Sequence, residues 1–392
     1  MKGKTERGLT FANQWVLKMD LGYCERLNTL TTPARANPDV IELSMCDPPR
    51  FGFRPDPKVL ESVNIETLEH GYPSVNKEMI SAIRGRTQSF TGVSVNDSDV
   101  VITNGCGGAF GVLSIALRGW SIGIETPFYS PAYEYFRRTT DMWYVRCTPD
   151  LHWDLDFDLL RKELEQREEP GAIFIVNPSN PTGHLHSRSD LKKLVNLAGE
   201  FDQILITDEV YDEMSYKPYT SLLSVSEDVP VIYMHGFSKV WRAPEIRVGF
   251  LILHDPSGRA NDLFNEIQRV ADLGFGVNPL SQMLALKLLD EDKGYRRKQF
   301  DAIKARRDAL HKAISESDNL NSDEAGGATY QLIETPWNDW AICSHLANEH
   351  NILVTPASTQ DPHIGDKYLR VVFLNTPENL ERFVQTLDLG LY

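Results

Sequence analysis

Six short segments in the middle of the chain are apolar at nearly every position, and stretches with helical spacing separate them. They cover residues 100–103, 122–124, 172–176, 204–207, 231–234 and 249–253. Strands that helices cover on both faces have such continuous apolar runs, whereas half-exposed strands alternate apolar and polar residues. The pattern therefore predicts an α/β fold with a mostly parallel, wound sheet in a large domain.

A different pattern begins after residue 277 and predicts a second domain. Its predicted elements are a helix over 278–290, a long charged helix over 291–312, a turn-rich segment over 315–327 and a strand over 328–333. The chain has 392 residues, which is more than the roughly 250 to 300 that one hydrophobic core supports. We predict a large domain over 48–277 and a smaller α+β domain formed by 1–47 and 278–392.

Composition argues against several classes of function. The formal net charge of −15 disfavours a nucleic-acid-binding surface, which needs clustered lysine and arginine. No segment approaches the ~18 consecutive apolar residues of a membrane span, and no apolar signal segment follows the first residues. The five cysteines have no Cys-x-x-Cys spacing and indicate neither a disulfide framework nor a metal site. We predict a cytoplasmic protein that binds neither nucleic acid nor membrane.

Polar side chains cluster just after three of the apolar segments. Asn180 follows the third segment, Asp208 directly follows the fourth, and Ser238 and Lys239 follow the fifth. Open parallel sheets bind ligands at the carboxyl ends of their strands. We therefore expect these four side chains to surround one site.

The residue types at this site fit one aromatic cofactor. Lys239 could form a Schiff base with an aldehyde, and Asp208 could pair with a protonated ring nitrogen. Asn180 and Tyr211 could reach a phenolate oxygen. Taken singly, each has a simpler explanation, such as a buried ion pair, a helix cap or a core aromatic. Together they predict pyridoxal 5'-phosphate, bound in the large domain, with Lys239, Asp208 and Tyr211 as catalytic residues.

A phosphate group would have its own set of contacts. Ser238 and Arg247 supply a hydroxyl and a charge, and the glycine-rich turn with Cys106 and Gly107 opens a helix whose free N–H groups favour anions. Tyr129 follows another apolar segment and could stack on the cofactor ring. Either feature could equally be structural, since glycine-rich turns and core aromatics are common.

Two further groups of polar residues have the chemistry to bind a ligand. Arg370 lies in a strand pattern near the C-terminus and could hold a substrate carboxylate with its planar fork, although a surface ion pair is the simpler explanation. His184 and His186 have no third metal ligand in the sequence, and we expect both on the surface.

Three motifs follow one another in a specific order. They are Asn-Pro-Ser-Asn-Pro-Thr-Gly at 177–183, Asp-Glu-Val-Tyr at 208–211, and Ser-Lys with a later Pro, Arg and Gly over 238–249. In this order they resemble the class I/II aminotransferases of fold type I, the aspartate aminotransferase superfamily. The resemblance extends from about residue 40 to the C-terminus. Segments 47–53 and 236–242 are similar to the alanine aminotransferase branch.

The resemblance implies further roles. It implies a homodimer in which Tyr72 reaches the phosphate of the other subunit's cofactor, a Schiff base at Lys239, and Arg370 and Asn180 as substrate-binding residues. Cys46 stands where the family generally has a glycine close to the substrate carboxylate, so we expect a reshaped pocket there.

The activity that these residues imply is transfer of an amino group between an L-amino acid and a 2-oxo acid. A lyase, cyclase or oxidase on the same scaffold is the alternative, because shared residues form the carbanion and the pocket decides its fate. A cofactor-sensing regulator is a third possibility. The sequence disfavours it, because only about 40 residues precede the matched region.

Overall fold

The computed structural model describes residues 31–390, except for 33, 62–73, 168, 170 and 275. Its strands are β1 (Ile41–Glu42), β2 (Val100–Thr103), β3 (Ser121–Thr126), β4 (Asp141–Arg146), β5 (Gly171–Val176), β6 (Ile204–Asp208), β7 (Val231–Gly236), β8 (Gly249–His254), β9 (Tyr330–Glu334), β10 (Ile352–Leu353), β11 (Thr355–Pro356) and β12 (Tyr368–Val372). Its α-helices are α1 (Pro57–Glu61), α2 (Lys77–Thr91), α3 (Gly105–Ala116), α4 (Ser130–Phe136), α5 (Phe157–Glu165), α6 (Arg188–Glu200), α7 (Asn261–Asp272), α8 (Pro279–Leu289), α9 (Lys293–Ser315), α10 (Asp339–Glu349) and α11 (Pro377–Asp388).

A seven-stranded sheet forms the centre of the fold, with strand order β2-β8-β7-β6-β5-β3-β4. Strand β8 runs antiparallel to both of its neighbours, and the other neighbouring strands run parallel. The predicted mostly parallel sheet is confirmed. Because β5, β6 and β7 are parallel, their carboxyl ends lie along one edge of the sheet.

All six apolar segments lie in strands of this sheet. Every residue of β5, β6 and β7 is buried, as continuous apolar runs predict for strands that are covered on both faces. The seventh strand, β4, was missed by the sequence pattern. It lies at the sheet edge, where its residues alternate between buried and partly exposed positions.

Two small sheets lie in the part of the chain that includes the C-terminal region. Strand β1 pairs in parallel with β10, so the segment before residue 48 joins the C-terminal region. Strands β11, β12 and β9 form an antiparallel sheet in which Arg370 stands opposite Leu332. The proposed domain limits stay a prediction.

Capping residues set the starts of the two helices predicted after residue 277. The side chain of Asn278 accepts hydrogen bonds from the N–H groups of Leu280 and Ser281 at the start of α8. Asp292 likewise caps α9 by accepting from the N–H group of Tyr295. Capping by Asn and Asp satisfies donors that a helix leaves free in its first turn.

No helix in the described ranges is long and apolar enough to cross a membrane.

A buried ion pair joins the chain after β7 to the segment between α8 and α9. Arg242 has a positive φ of 55°, and its Nη2 lies 2.5 Å from Glu291 Oε1. Both side chains are fully buried. Glu291 also accepts a hydrogen bond from the N–H group of Asp56 at 2.9 Å. One carboxylate therefore holds three segments that are distant in sequence.

Replacing Glu291 with alanine should destabilise the protein strongly, because Arg242 would remain buried without a counter-ion. Removing one partner of a buried pair typically lowers the free energy of unfolding by about 3–5 kcal/mol. Urea unfolding followed by tryptophan fluorescence measures the change. Glu200→Ala is the matched control, because it breaks an exposed pair with Arg161 and should change little. Equal effects of both substitutions would contradict the account.

Candidate active site

Lys239 lies in the turn that follows β7, at the carboxyl edge of the sheet. Its Nζ donates a hydrogen bond to the carbonyl oxygen of Cys46 at 2.8 Å. The same Nζ lies 5.9 Å from the centre of the Tyr211 ring. The amine is thus held between the segment after β1 and the segment after β6.

A cavity of about 180 Å³ surrounds this amine. Its lining residues are Cys106, Gly107, Tyr129, Val176, Asn180, Asp208, Val210, Tyr211, Ser238, Lys239, Pro244 and Arg247. The structure therefore brings together the cofactor-binding residues that the sequence singled out within the described ranges. Tyr72 lies outside the described residues.

Asp208 ends strand β6 and is buried. Its Oδ1 accepts a hydrogen bond from the N–H group of Val210 at 3.2 Å. Burial raises the pKa of Asp208 from its ordinary value of 3.8 to about 7, against the opposing effects of that hydrogen bond and of the Lys239 charge. Because burial outweighs these two effects, a cation placed against Asp208 would further stabilise its charged form.

Asn180 lies in the turn after β5, and the fold holds this turn tightly. Gly183 has a positive φ of 72°, and any side chain there would overlap the carbonyl of Tyr330. Asn180 is buried, yet its Oδ1 has no hydrogen-bond partner in the part of the chain that the structure describes. Buried amide groups are normally paired, so this oxygen is free to accept a hydrogen bond from a ligand in the cavity, and the Nδ2 group of the same amide is a donor.

The start of α3 and the side chain of Arg247 form one end of the cavity. Gly105 has a φ of +70°, and a Cβ atom there would lie 2.5 Å from Arg247 Nη2. Arg247 donates through Nη1 to the carbonyl of Pro244 at 2.8 Å. The first N–H groups of a helix lack partners within the helix. Together with the guanidinium group they favour an anion.

Tyr129 precedes α4 and packs its ring 6.0 Å from the ring of Phe110. Burial raises the pKa of Tyr129 well above its ordinary value, so its hydroxyl keeps its proton at neutral pH. Phe128, the aromatic residue next to it in the sequence, instead stacks on Tyr133 with ring centres 4.2 Å apart. The structure therefore lines the cavity with Tyr129 and places Phe128 in the core.

A second tyrosine lies behind Tyr211, and the sequence patterns did not indicate it. The Tyr330 hydroxyl lies 2.8 Å from the Tyr211 hydroxyl, and both side chains are buried. Tyr330 begins strand β9 and is separated from Tyr211 by more than a hundred residues. No local motif could have indicated the contact.

Arg370 lies in β12, beside the residues that follow β1. It donates to the carbonyl of Ser44 and, at 3.1 Å, to the hydroxyl of Thr355. Within the described ranges it forms no ion pair with Asp or Glu, and its buried Nε has no partner. The surface ion pair that was the simpler explanation is therefore not formed with any described residue. Cys46 lies nearby, where its sulfur accepts a hydrogen bond from Thr329 at 3.1 Å.

The expectation that both histidines of the 184–186 segment lie on the surface is wrong for His186. Its side chain is fully buried, and Nε2 lies 3.0 Å from Glu125 Oε1. Glu125 also accepts from the N–H group of Val176 at 2.7 Å. Glu125 in β3 therefore contacts both the end of β5 and the segment before α6. The cause of these contacts is tertiary packing, because Glu125 is distant in sequence.

This donor set fits pyridoxal 5'-phosphate. The buried Asp208 carboxylate, whose charged form lacks solvent, matches a protonated ring nitrogen. The amine of Lys239 matches an aldehyde. The Nδ2 donor of Asn180 matches a ring oxygen, and the end of the cavity that is formed by the start of α3 and Arg247 matches a phosphate. The fold and the cavity together define an α/β enzyme of the pyridoxal-phosphate class.

Comparison with known proteins gives the family. The family model for aminotransferase class I and II matches residues 40–387, so the chain belongs to that family. A probable aminotransferase of Arabidopsis thaliana is 27% identical over an alignment of 369 positions, and the match covers 87% of this chain and 87% of that protein. The tyrosine aminotransferase of Caenorhabditis elegans is 26% identical over an alignment of 368 positions, and the match covers 89% of this chain and 78% of that protein.

Structural comparison agrees. An alanine aminotransferase from Pyrococcus furiosus superposes with a TM-score of 0.85 and 28% identity, covering 92% of this chain and 97% of that chain. These findings confirm the predicted fold class, activity class and cofactor. The chain is a pyridoxal-phosphate-dependent aminotransferase.

The buried carboxylate predicts a pH dependence of stability in the cofactor-free protein. Burial raises the pKa of Asp208 in the folded protein to about 7, whereas the same carboxyl group ionises at lower pH in the unfolded chain. Its ionisation in the unfolded chain therefore lowers the free energy of unfolding. The penalty is absent below about pH 4, grows as pH rises and is complete above about pH 7. For every pH unit that separates the folded and unfolded pKa values, the free energy of unfolding falls by about 1.4 kcal/mol.

Asp208→Asn should therefore flatten this dependence. Thermal unfolding of both cofactor-free proteins between pH 5 and 8 measures it. Glu209, whose pKa burial also raises to about 7, is present in both proteins, so the difference isolates Asp208. Parallel curves for the wild type and the variant would contradict the assignment.

Proposed function

We propose that Lys239 is the residue that carries the cofactor and that the site exchanges an amino group between an L-amino acid and a 2-oxo acid. The observation that carries the proposal is that the Lys239 amine and the buried Asp208 carboxylate line one cavity. The unpaired Asn180 amide and the Arg247 guanidinium line the same cavity. Each of these groups fits a different part of the same cofactor.

When bound, the cofactor supplies an aldehyde carbon and a ring that withdraws electrons from the substrate's α-carbon. Asp208 keeps the ring nitrogen protonated and so favours that withdrawal. Asn180 and Tyr211 donate hydrogen bonds to the ring oxygen. Ser238, Arg247 and the N–H groups at the start of α3, where Cys106 and Gly107 lie, hold the phosphate.

Lys239 acts twice in the proposed mechanism. Its amine would hold the cofactor before the amino acid binds. Once free, the same amine would act as the base that removes the proton from the substrate's α-carbon and carries it on Nζ. Its hydrogen bond to the Cys46 carbonyl marks the position from which it would act.

Arg370 is proposed to bind the substrate's α-carboxylate. Its guanidinium group is planar and has unpaired donors, which suits a carboxylate with two oxygens. Ser44 and Thr355 hold Nη2 in place. Fixing the carboxylate orients the bond to hydrogen that must break at the α-carbon. Cys46 borders this region, and its side chain would limit the space beside the carboxylate.

We further propose a homodimer. Ile115 and Leu273 are 58% and 75% exposed, and both line an apolar groove between α3 and the segment after α7. Contiguous exposed apolar side chains favour burial against another protein surface.

A cytoplasmic location stays a prediction, and the four cysteines in the described ranges are free thiols.

Lys239→Ala should abolish transamination, with a loss of about 10³-fold or more, because none of the other described residues that line the cavity carries an amine. Coupled-enzyme assays that follow new amino acid formed from added 2-oxoglutarate or pyruvate measure the rate. Lys193→Ala is the control, because that amine is exposed and paired with Asp190. Unchanged turnover in the Lys239 variant would refute the assignment. Release of ammonia in place of a new amino acid would favour a lyase.

Leu273→Glu should weaken the dimer, because it places a charge in an apolar surface that dimer formation would bury. Analytical ultracentrifugation should find the wild type at twice 44.4 kDa and the variant shifted toward that single mass. Leu151→Glu is the control, since Leu151 is also exposed but lies outside the groove. A wild type that sediments as a monomer at micromolar concentration would contradict the proposed assembly.

A further inference from the structure

Tyr330 contacts two residues of the proposed site without lining the cavity itself. Its hydroxyl lies 2.8 Å from the hydroxyl of Tyr211, and the two rings meet edge to face with centres 5.7 Å apart. The guanidinium carbon of Arg370 lies 5.3 Å from the centre of the Tyr330 ring. One side chain therefore touches the residue proposed to contact the ring oxygen and the residue proposed to bind the carboxylate.

We propose that Tyr330 is a positioning residue that orients the Tyr211 hydroxyl toward the cofactor's ring oxygen and the Arg370 guanidinium toward the substrate's carboxylate. The inference rests on the proposed function of the site and deepens it. The buried Tyr330 side chain fixes the positions of the cofactor-binding Tyr211 and the substrate-binding Arg370 relative to each other.

The hydrogen bond between the two tyrosines has a definite direction when the cofactor is bound. A phenol has one proton to donate and an oxygen that accepts. If Tyr211 gives its proton to a ring oxygen, then its own oxygen accepts from Tyr330. Burial raises the pKa of both tyrosines well above the ordinary value, so both keep their protons at neutral pH. The result is a chain from Tyr330 through Tyr211 to the cofactor, in which each bond polarises the next.

The face of the Tyr330 ring restricts the side chain of Arg370. A guanidinium group is attracted to the face of an aromatic ring, and the contact also fixes its plane. The Nη2 atom of Arg370 also donates hydrogen bonds to the carbonyl of Ser44 and the hydroxyl of Thr355. The Tyr330 ring therefore limits the remaining freedom of a side chain that is otherwise held at one nitrogen.

The backbone makes Tyr330 a rigid support. Tyr330 pairs with Val372 across the β9–β12 ladder, and its carbonyl abuts Gly183 in the turn that carries Asn180. Ala328, two residues earlier, has a positive φ of 58°, and its carbonyl accepts from the Tyr216 hydroxyl at 2.7 Å. A ring held by strand pairing and by a packed turn can position its neighbours.

The test for the hydroxyl uses Tyr330→Phe in the holoenzyme. The readout is the pH midpoint of the visible absorbance band, which reports the proton on the nitrogen that joins Lys239 to the cofactor. A weaker bond from Tyr211 leaves more negative charge on the ring oxygen and holds that proton more tightly. The midpoint should rise by about one to two pH units in Tyr211→Phe. It should rise by about a tenth to a third of that in Tyr330→Phe.

The double variant distinguishes action through Tyr211 from a separate effect. In the Tyr211→Phe background, the substitution Tyr330→Phe should not move the midpoint further, because the chain of hydrogen bonds is already broken. Tyr233→Phe is the matched control, since it removes a buried hydroxyl that bonds Arg86 and Asp212 rather than Tyr211. Equal changes of the midpoint in Tyr233→Phe and Tyr330→Phe, or additive changes in the double variant, would overturn the inference.

The test for the ring uses steady-state kinetics. Tyr330→Phe keeps the ring and should leave KM for the amino acid within about twofold, whereas Tyr330→Leu removes the ring and should raise KM about fivefold or more. Equal KM values for the two variants would overturn this half of the inference. If the wild-type protein shows no visible absorbance band, the proposed function itself is contradicted. A normal wild-type band whose midpoint is unchanged in Tyr330→Phe fails only the role of Tyr330.

Discussion

A carboxylate buried at the end of a central strand is the constraint on which the site depends. Asp208 ends β6 with one backbone hydrogen bond from Val210, and burial raises its pKa to about 7. Such a group is unfavourable when charged unless a cation lies against it. A protonated ring nitrogen is the cation that the cofactor would bring. The feature that weakens the cofactor-free fold is therefore the one that would hold the ring as an electron acceptor.

The rest of the molecule places the other groups around this carboxylate. The parallel order of β5, β6 and β7 brings Asn180, Asp208 and Lys239 to one edge of the sheet. The pair between Arg242 and Glu291 then ties the turn with the lysine to the start of the long helix α9. Groups that must act on one small molecule are thus fixed by strand order and by buried charges.

The sequence predicted the parts of the fold and site that local patterns determine. Lys239, Asp208 and Asn180 could be found because they lie at or shortly after the ends of apolar strands, and strand ends of parallel sheets collect ligands. The edge strand β4 was missed because its burial alternates. Tyr330 and the buried state of His186 were missed because both depend on contacts between residues far apart in sequence. Such contacts leave no periodic signal, and only the folded arrangement reveals them.

The most direct test of the central claim is the position of the covalent link to the cofactor. The purified holoenzyme would be reduced with borohydride, digested and analysed by mass spectrometry for the added pyridoxyl group. The account predicts that the group is found on the peptide that contains Lys239, at close to one per chain. A pyridoxyl group on a different lysine, or a purified enzyme that carries none after incubation with the cofactor, would contradict it.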